Sequence, residues 1–244
     1  MGSSSRCRRW SISTCGAWIR TIKFQPLPFH SACLDSGRVS PHDSRVDLPS
    51  HPQLSALIRH RRSIKPVDMD ASRGVERALL TQVLEDATWA PTHGLTEPWK
   101  FIVHQGAGRA RLAEAMQHVY RETTPANEFR EDKMKKMGEN PLLSAVVIAA
   151  VMERRGGSKI PELEEIEAVA CALQNLQLSA TAAGLGCYWS SPPLLGTREF
   201  AEWLQIGAED RCVGLIYLGW PREGLKWPRS VRQSVESKTM WCDD

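Results

Sequence analysis

The sequence predicts a mixed domain of helices and strands, α+β or α/β, with helices on both sides of a sheet and starting near residue 51. Three features carry that expectation. The run SAVVIAAVM at 144–152 is continuous and rich in β-branched residues, as in a buried strand. Residues 161–183 are Ala-rich and nearly uncharged in the middle, as in a helix covered on most sides. Around them, segments of helical and strand periodicity interleave.

Taken in order, Leu54, Leu57 and Ile58 form the apolar side of a short helix ending near His60. The basic stretch RHRRSIKP follows at 59–66 and leads into a turn at Pro66. In RGVERALLTQVLEDATWA, 73–90, Val75, Leu79, Val83, Leu84 and Ala87 recur at helical spacing until Pro91 stops them. PTHGLTEP is loop. WKFIVHQ, 99–105, alternates as a strand does, and GAGRARLAEAMQHVYRE reads as a turn and then a helix. Glu122 to Asn140 is polar; its REDKMKKM segment suits an exposed helix in a mobile excursion over a site. In the long helix, Pro161 fits the first helical position, three Glu occupy the first turn, and Gly184 fits the residue after the C-cap. GCYWSS and CVGLIYLGWP complete the strands.

Composition excludes several classes. Thirty-one basic residues against 28 acidic leave a net charge of +3, too slight to imply a polyanion, so no nucleic-acid partner is expected. Cys7, Cys15, Cys33, Cys171, Cys187, Cys212 and Cys242 include no C-x-x-C and no His at ligand spacing. That pattern predicts a reducing compartment and no metal site. No apolar stretch approaches the ~20 residues needed to span a bilayer, and no membrane association is expected. Residues 1–34 contain five basic residues and no Asp or Glu. The composition fits an organelle transit peptide, but a disordered arm or translation from an early start codon is preferred. Residues 1–50 are therefore expected to be an extension to a domain at 51–244, and the cytoplasm is the expected location.

Among candidate motifs, HQGAGR lacks the third glycine of a dinucleotide fingerprint, and a strand-to-helix turn explains it. There is no G-x-S-x-G, H-E-x-x-H or P-loop. His93 sits in a loop punctuated by Pro91, Gly94 and Pro98, the composition of a loop of fixed shape or of an ordinary connection. The stretch at 59–66 is too isolated for a nucleic-acid face. A solvated helix end and a phosphate site, with Arg forks beside the Ser63 hydroxyl, fit its residues equally.

Together, RRSIK, WAPTHGLTEPWKF, AAGLGCYWSS and IYLGWP resemble the FMN-dependent nitroreductase family, and within it the short YdjA-like NAD(P)H nitroreductases. The match runs from about Leu54 to Trp241. The resemblance implies an α+β fold, with a central, mostly antiparallel sheet flanked by helices, in an intertwined homodimer with FMN at the interface. It places Arg61 and Ser63 on the FMN phosphate, with Arg62 from the same turn. Lys65 would reach the flavin N1/O2 edge and is the catalytic candidate. Trp89 and His93 would contact the ring or ribityl chain; Trp189, Ser190 and Ser191 would cover the other ring face. Arg232, or Arg229, would join the phosphate site. The implied reaction is a two-step exchange: NADH or NADPH reduces the flavin and leaves, and a small-molecule acceptor such as a nitroaromatic or quinone replaces it.

Leu95 and Glu97 stand where many relatives have Asn and Gln. TEPW is similar instead to the flavin-dependent iodotyrosine deiodinases of the same superfamily. A reductive dehalogenase-type enzyme and a flavin-binding protein without turnover are thus the alternatives. A nucleic-acid binder built on residues 6–23 and 59–65 is a weaker one.

Overall fold

A computed structural model describes residues 48–243, so all but the last three residues of the expected extension lie outside the described residues. The elements run α1 (His51–His60), α2 (Arg77–Thr88), β1 (Trp99–Gln105), α3 (Ala107–Thr123), α4 (Glu131–Leu143), β2 (Val146–Met152), α5 (Glu162–Ala182), β3 (Gly186–Ser190), α6 (Arg198–Leu204) and β4 (Arg211–Gly219). The strands form one sheet in the order β1-β2-β4-β3, and every neighbouring pair is antiparallel. This is the flanked antiparallel sheet that the resemblance implied.

Helices on both faces explain why SAVVIAAVM does not alternate. Val146, Ile148, Ala150 and Met152 pack on Leu80, Val83, Leu173 and Leu176 of α2 and α5. Val147 and Ala149 face the other way, onto Leu112 and Met116 of α3 and Phe200 of α6. All seven residues of β2 are buried. A β-bulge breaks the β2–β4 register, because Ala150 pairs with Gly214 and Val151 with Cys212, leaving Val213 extra.

Pro161 stands at the N-cap of α5, one place before the expected first helical position, so Glu162, Glu164 and Glu165 form the first turn. Glu165 is buried, and the interior tolerates it because Arg154 Nη1 and Ser158 Oγ donate to its carboxylate at 2.7 and 3.0 Å. At the other end Gly184 adopts φ 81°. Its N–H donates to Thr181 O and that of Leu185 to Ala180 O, the paired bonds of a Schellman cap. The helix expected in REDKMKKM extends to Leu143 as α4, and it is not wholly exposed, since Met137 and Pro141 are buried. Among the described residues no helix is long and apolar enough to cross a membrane.

The basic stretch meets the sheet at Gly186. A Cβ there would lie 2.9 Å from Ile64 Cβ and Cγ2, and Ile64 is fully buried and cannot retreat. Gly186→Ala is expected to cost about 1–3 kcal/mol through overpacking. A urea midpoint within error of the unsubstituted protein would show that this contact has slack.

Candidate active site

At Arg61 the backbone leaves the helix, with φ −54° and ψ 127°, and runs beside the start of β3. Ser63 bridges Cys187 in parallel, and Ile64 N–H donates to Cys187 O at 2.9 Å. The three side chains of R-R-S then part company. Arg61 is half-buried and turns toward α5, where Nη1 donates to Gln177 Oε1 at a long 3.4 Å. Arg62 turns away and donates to three carbonyls, those of Arg59 (2.5 Å), Arg61 (2.7 Å) and Pro228 (3.0 Å). It is a latch between the turn and the C-terminal segment. Trp227 reinforces it: Nε1 donates to His60 O at 2.8 Å, and the indole stacks on the His60 ring at 4.7 Å. Ser63 and Lys65 are exposed, and neither side chain has a hydrogen-bond or ion-pair partner among the described residues.

This turn therefore offers one guanidinium with a single long bond, one hydroxyl and one ammonium. That is the equipment for a compact anion. A merely solvated helix end would not draw Arg61 inward onto a buried glutamine.

The PTHGLTEP loop has a fixed shape. Gly94, Leu95 and Glu97 have φ of 61°, 52° and 46°, the left-handed region that costs a side-chain-bearing residue about 1–2 kcal/mol. Thr92 Oγ1 holds the conformation by accepting from Glu97 N–H at 3.2 Å and pairing with Thr96 Oγ1 at 3.1 Å. His93 Nδ1 lies 2.5 Å from Glu164 Oε2, which ties the loop to the first turn of α5. Trp89, at the end of α2, is 85% exposed. Glu164 and Gln177 lie 13 residues apart on α5, about 20 Å of helix. One chain thus places His93 at the far end of α5 from Arg61, whereas Asp86, three residues before Trp89, accepts from Ser179 toward the Arg61 end.

On β3 the pleat separates neighbours. Trp189 packs against Gly214 and joins the core on the α5 side, where its indole Nε1–H is buried without a partner among the described residues. Tyr188 joins the opposite core beside Tyr217. Ser190 lines a cleft of about 740 Å3 on that opposite side, enclosed by α3, α4 and the chain around Pro192. Ser191 is exposed. Of the C-terminal cations, Arg229 is exposed and directly follows the Pro228 that Arg62 holds. Arg232 instead donates to Ser230 Oγ and Val231 O of its own segment.

Sequence reasoning missed Gln177, which shows only as a polar residue in an apolar helix stretch. It expected 122–140 to pass over a site, and residues of that stretch do line the cleft, but of the other lining residues it had named Ser190 alone as a site residue. Burial pushes the Cys187 thiol up to about 12 despite the nearby Arg61, and burial likewise raises Cys212 to about 12. Below that pH both should stay protonated and unreactive, whereas Cys171 and Cys242 are exposed. Peptide mapping after iodoacetamide treatment at pH 8 should find Cys171 and Cys242 alkylated and Cys187 and Cys212 intact. Labelling of Cys187 in folded protein would contradict its burial beneath the turn.

Residues 58–220 match the family model described as Nitroreductase family. Two relatives are the Bacillus subtilis "Putative NAD(P)H nitroreductase YfhC" and the Escherichia coli "Putative NAD(P)H nitroreductase YdjA". The first is 29% identical, over 72% of this chain and 88% of its own length. The second is 27% identical, over 68% and 87%. A solved nitroreductase-like protein from Bacillus cereus superposes with TM-score 0.69 at 28% identity, covering 81% of this chain and all of that one. A Desulfovibrio desulfuricans structure in complex with FMN shares the fold, with TM-score 0.59 at 20% identity, covering 80% of this chain and 99% of that one. The matched span runs from the end of α1 through the last strand and takes in the basic turn, the strained loop and the whole sheet. This chain belongs to the nitroreductase family.

Proposed function

We propose that the protein is an FMN-dependent NAD(P)H oxidoreductase, with residues 51–244 as its FMN-binding domain. It would take electrons from NADH or NADPH and pass them to a small-molecule acceptor such as a nitroaromatic or quinone, in the cytoplasm. One observation carries this reading in a chain of this family: the turn holding Arg61, Ser63 and Lys65 is fixed to β3 with its donors largely unengaged among the described residues. The FMN complex with the same fold supports the choice of cofactor.

The residues of the turn fit FMN. Arg61, oriented by Gln177, and Ser63 would hold the phosphate, and Arg229 or Arg232 could add charge beside it. Arg62 contributes chiefly by latching the turn to Pro228. Trp189, Ser190 and Ser191 would flank the ring, the first with its unpartnered indole N–H. When bound, FMN supplies two-electron redox chemistry that no side chain here offers. Lys65 would keep a positive charge beside the ring edge that becomes anionic on reduction, and so favour reduction.

The active form in this reading is a homodimer. Arg61 and His93 lie near opposite ends of α5 in one chain, so a two-fold partner supplies the missing half of each site. His93 would then come from the partner, while Trp89, three residues after the Asp86 that Ser179 holds, would contact the flavin from either chain. Trp89, Leu95, Val231 and Trp241, 85%, 79%, 93% and 78% exposed, are the kind of surface a second copy would cover. The helix α1 buries no residue at all.

Purified protein should show flavin absorbance that bleaches anaerobically on adding NADH or NADPH and returns with a nitroaromatic or quinone. Bands that persist would indicate a flavin protein without this turnover, and no bands after incubation with FMN would sink the reading. Acceptor screening with halogenated aromatics separates the dehalogenase-type alternative. Arg61→Ala should weaken FMN binding by about tenfold or more, the loss of a charge-assisted bond, while the bound flavin is still reduced at nearly the original rate. For Lys65→Ala the opposite split is expected, and an unchanged reduction rate would remove its role. Gel filtration should give about twice the chain mass; a monomer that retains FMN would contradict the composite site.

A further inference from the structure

The cleft between α3 and α4 is built differently from a solvated surface groove. Its floor is aromatic and thioether-lined: Tyr188 and Tyr217, with ring centroids 6.0 Å apart, meet Met116 and Met137. The volume of about 740 Å3 lies in the range of small-molecule sites. Thioethers adapt to the outline of a flat ring, and half-buried Tyr188, backed by the fully buried Tyr217, gives it a face to lie against.

The rim of the same cleft is cationic. Arg130, Lys133 and Lys136 line it against one acid, Glu128. Arg130 is already neutralised, because it makes a two-pronged contact with Asp132 at 2.9 Å on each arm. Lys136 has only a loose contact with that same Asp132, at 3.6 Å. Lys133 has no ion pair among the described residues. Lys135, which does not line the cleft, makes a similarly loose contact with Glu139 at 3.7 Å. Spaced three apart on α4, Lys133 and Lys136 share one face of the helix. That face is held in place: Gln117 Nε2 donates to Met134 O at 3.2 Å, and Arg130 N–H donates to Tyr120 Oη at 3.0 Å.

The cleft also adjoins the proposed flavin turn. Tyr188 and Ser190 line it from β3, and Cys187, next to Tyr188 on that strand, is where Ser63 bridges the sheet. We propose that the cleft between α3 and α4, with a Tyr188/Tyr217 floor under a Lys133/Lys136 rim, binds the electron acceptor and selects flat aromatics that carry a carboxylate or similar anionic group. The word acceptor rests on the oxidoreductase reading; the binding preference does not.

The test is a calorimetric titration of full-length, purified, oxidised protein with 4-nitrobenzoate and with nitrobenzene, without any electron donor. 4-Nitrobenzoate should bind about tenfold tighter, and the advantage should shrink at high salt because the cations are at a rim. In the exposed double variant Lys133→Gln/Lys136→Gln the advantage should fall below about twofold, with nitrobenzene affinity unchanged. Equal binding of the two ligands to the unsubstituted protein would overturn the proposal, as would an advantage that survives the double substitution. NADPH is the other source of an anionic aromatic. If the double variant lost NADPH affinity but kept its preference for 4-nitrobenzoate, the rim would belong to the donor and the proposal would fail. A protein that never binds flavin yet shows the charge preference would sink the oxidoreductase reading alone.

Discussion

Ile64 is wedged between the basic turn and the sheet, fully buried and packed so closely on Gly186 that no larger residue fits opposite it. Its N–H is at the same time bonded to Cys187 O. A side chain in the core and a backbone bond to a strand together decide where Arg61, Ser63 and Lys65 can stand. Alternation along the segment then does the sorting: Ile64 goes inward, and Ser63 and Lys65 outward. The hydrophobic effect acts on a single residue here, and its chemical result is the orientation of the polar residues on either side.

Helix α5 plays the complementary part of a spacer. Its first turn holds the strained loop through Glu164, and its fifth holds Arg61 through Gln177. Acids in the first turn suit its N-terminus and a left-handed glycine caps its C-terminus. The separation of the strained loop from the basic turn is therefore a property of helix length, and no side-chain rearrangement within one chain can close it.

Much of the fold was legible because local signals and tertiary packing agreed. WKFIVHQ alternates and is β1 to the residue; the β-branched run is β2; Gly184 ends α5. The seven-residue α6 was not foreseen, since its only buried residues are Phe200 and Leu204, too few to show a period. Pro161 was read one position too far into its helix. In the candidate site, R-R-S reads as one basic cluster, yet the backbone sends Arg61 and Arg62 to different partners. Trp189 and Ser190 read as one cover, yet the pleat puts them on opposite faces. The cleft is assembled from α3, α4, β3 and β4, and no contiguous motif records that.

The order of assembly has a consequence for synthesis on the ribosome. The last strand made, β4, lies inside the sheet between β2 and β3, and the Arg62 latch closes on Pro228, 166 residues later. An emerging chain can pair β1 with β2, but β3 has no neighbour until β4 leaves the exit tunnel. The basic turn, made among the first residues of the domain, then waits for nearly the whole chain before it has a scaffold. The turn thus reaches its final place only after β4 is made, and a chain that stops short of β4 would carry the turn and β3 with no sheet to dock them.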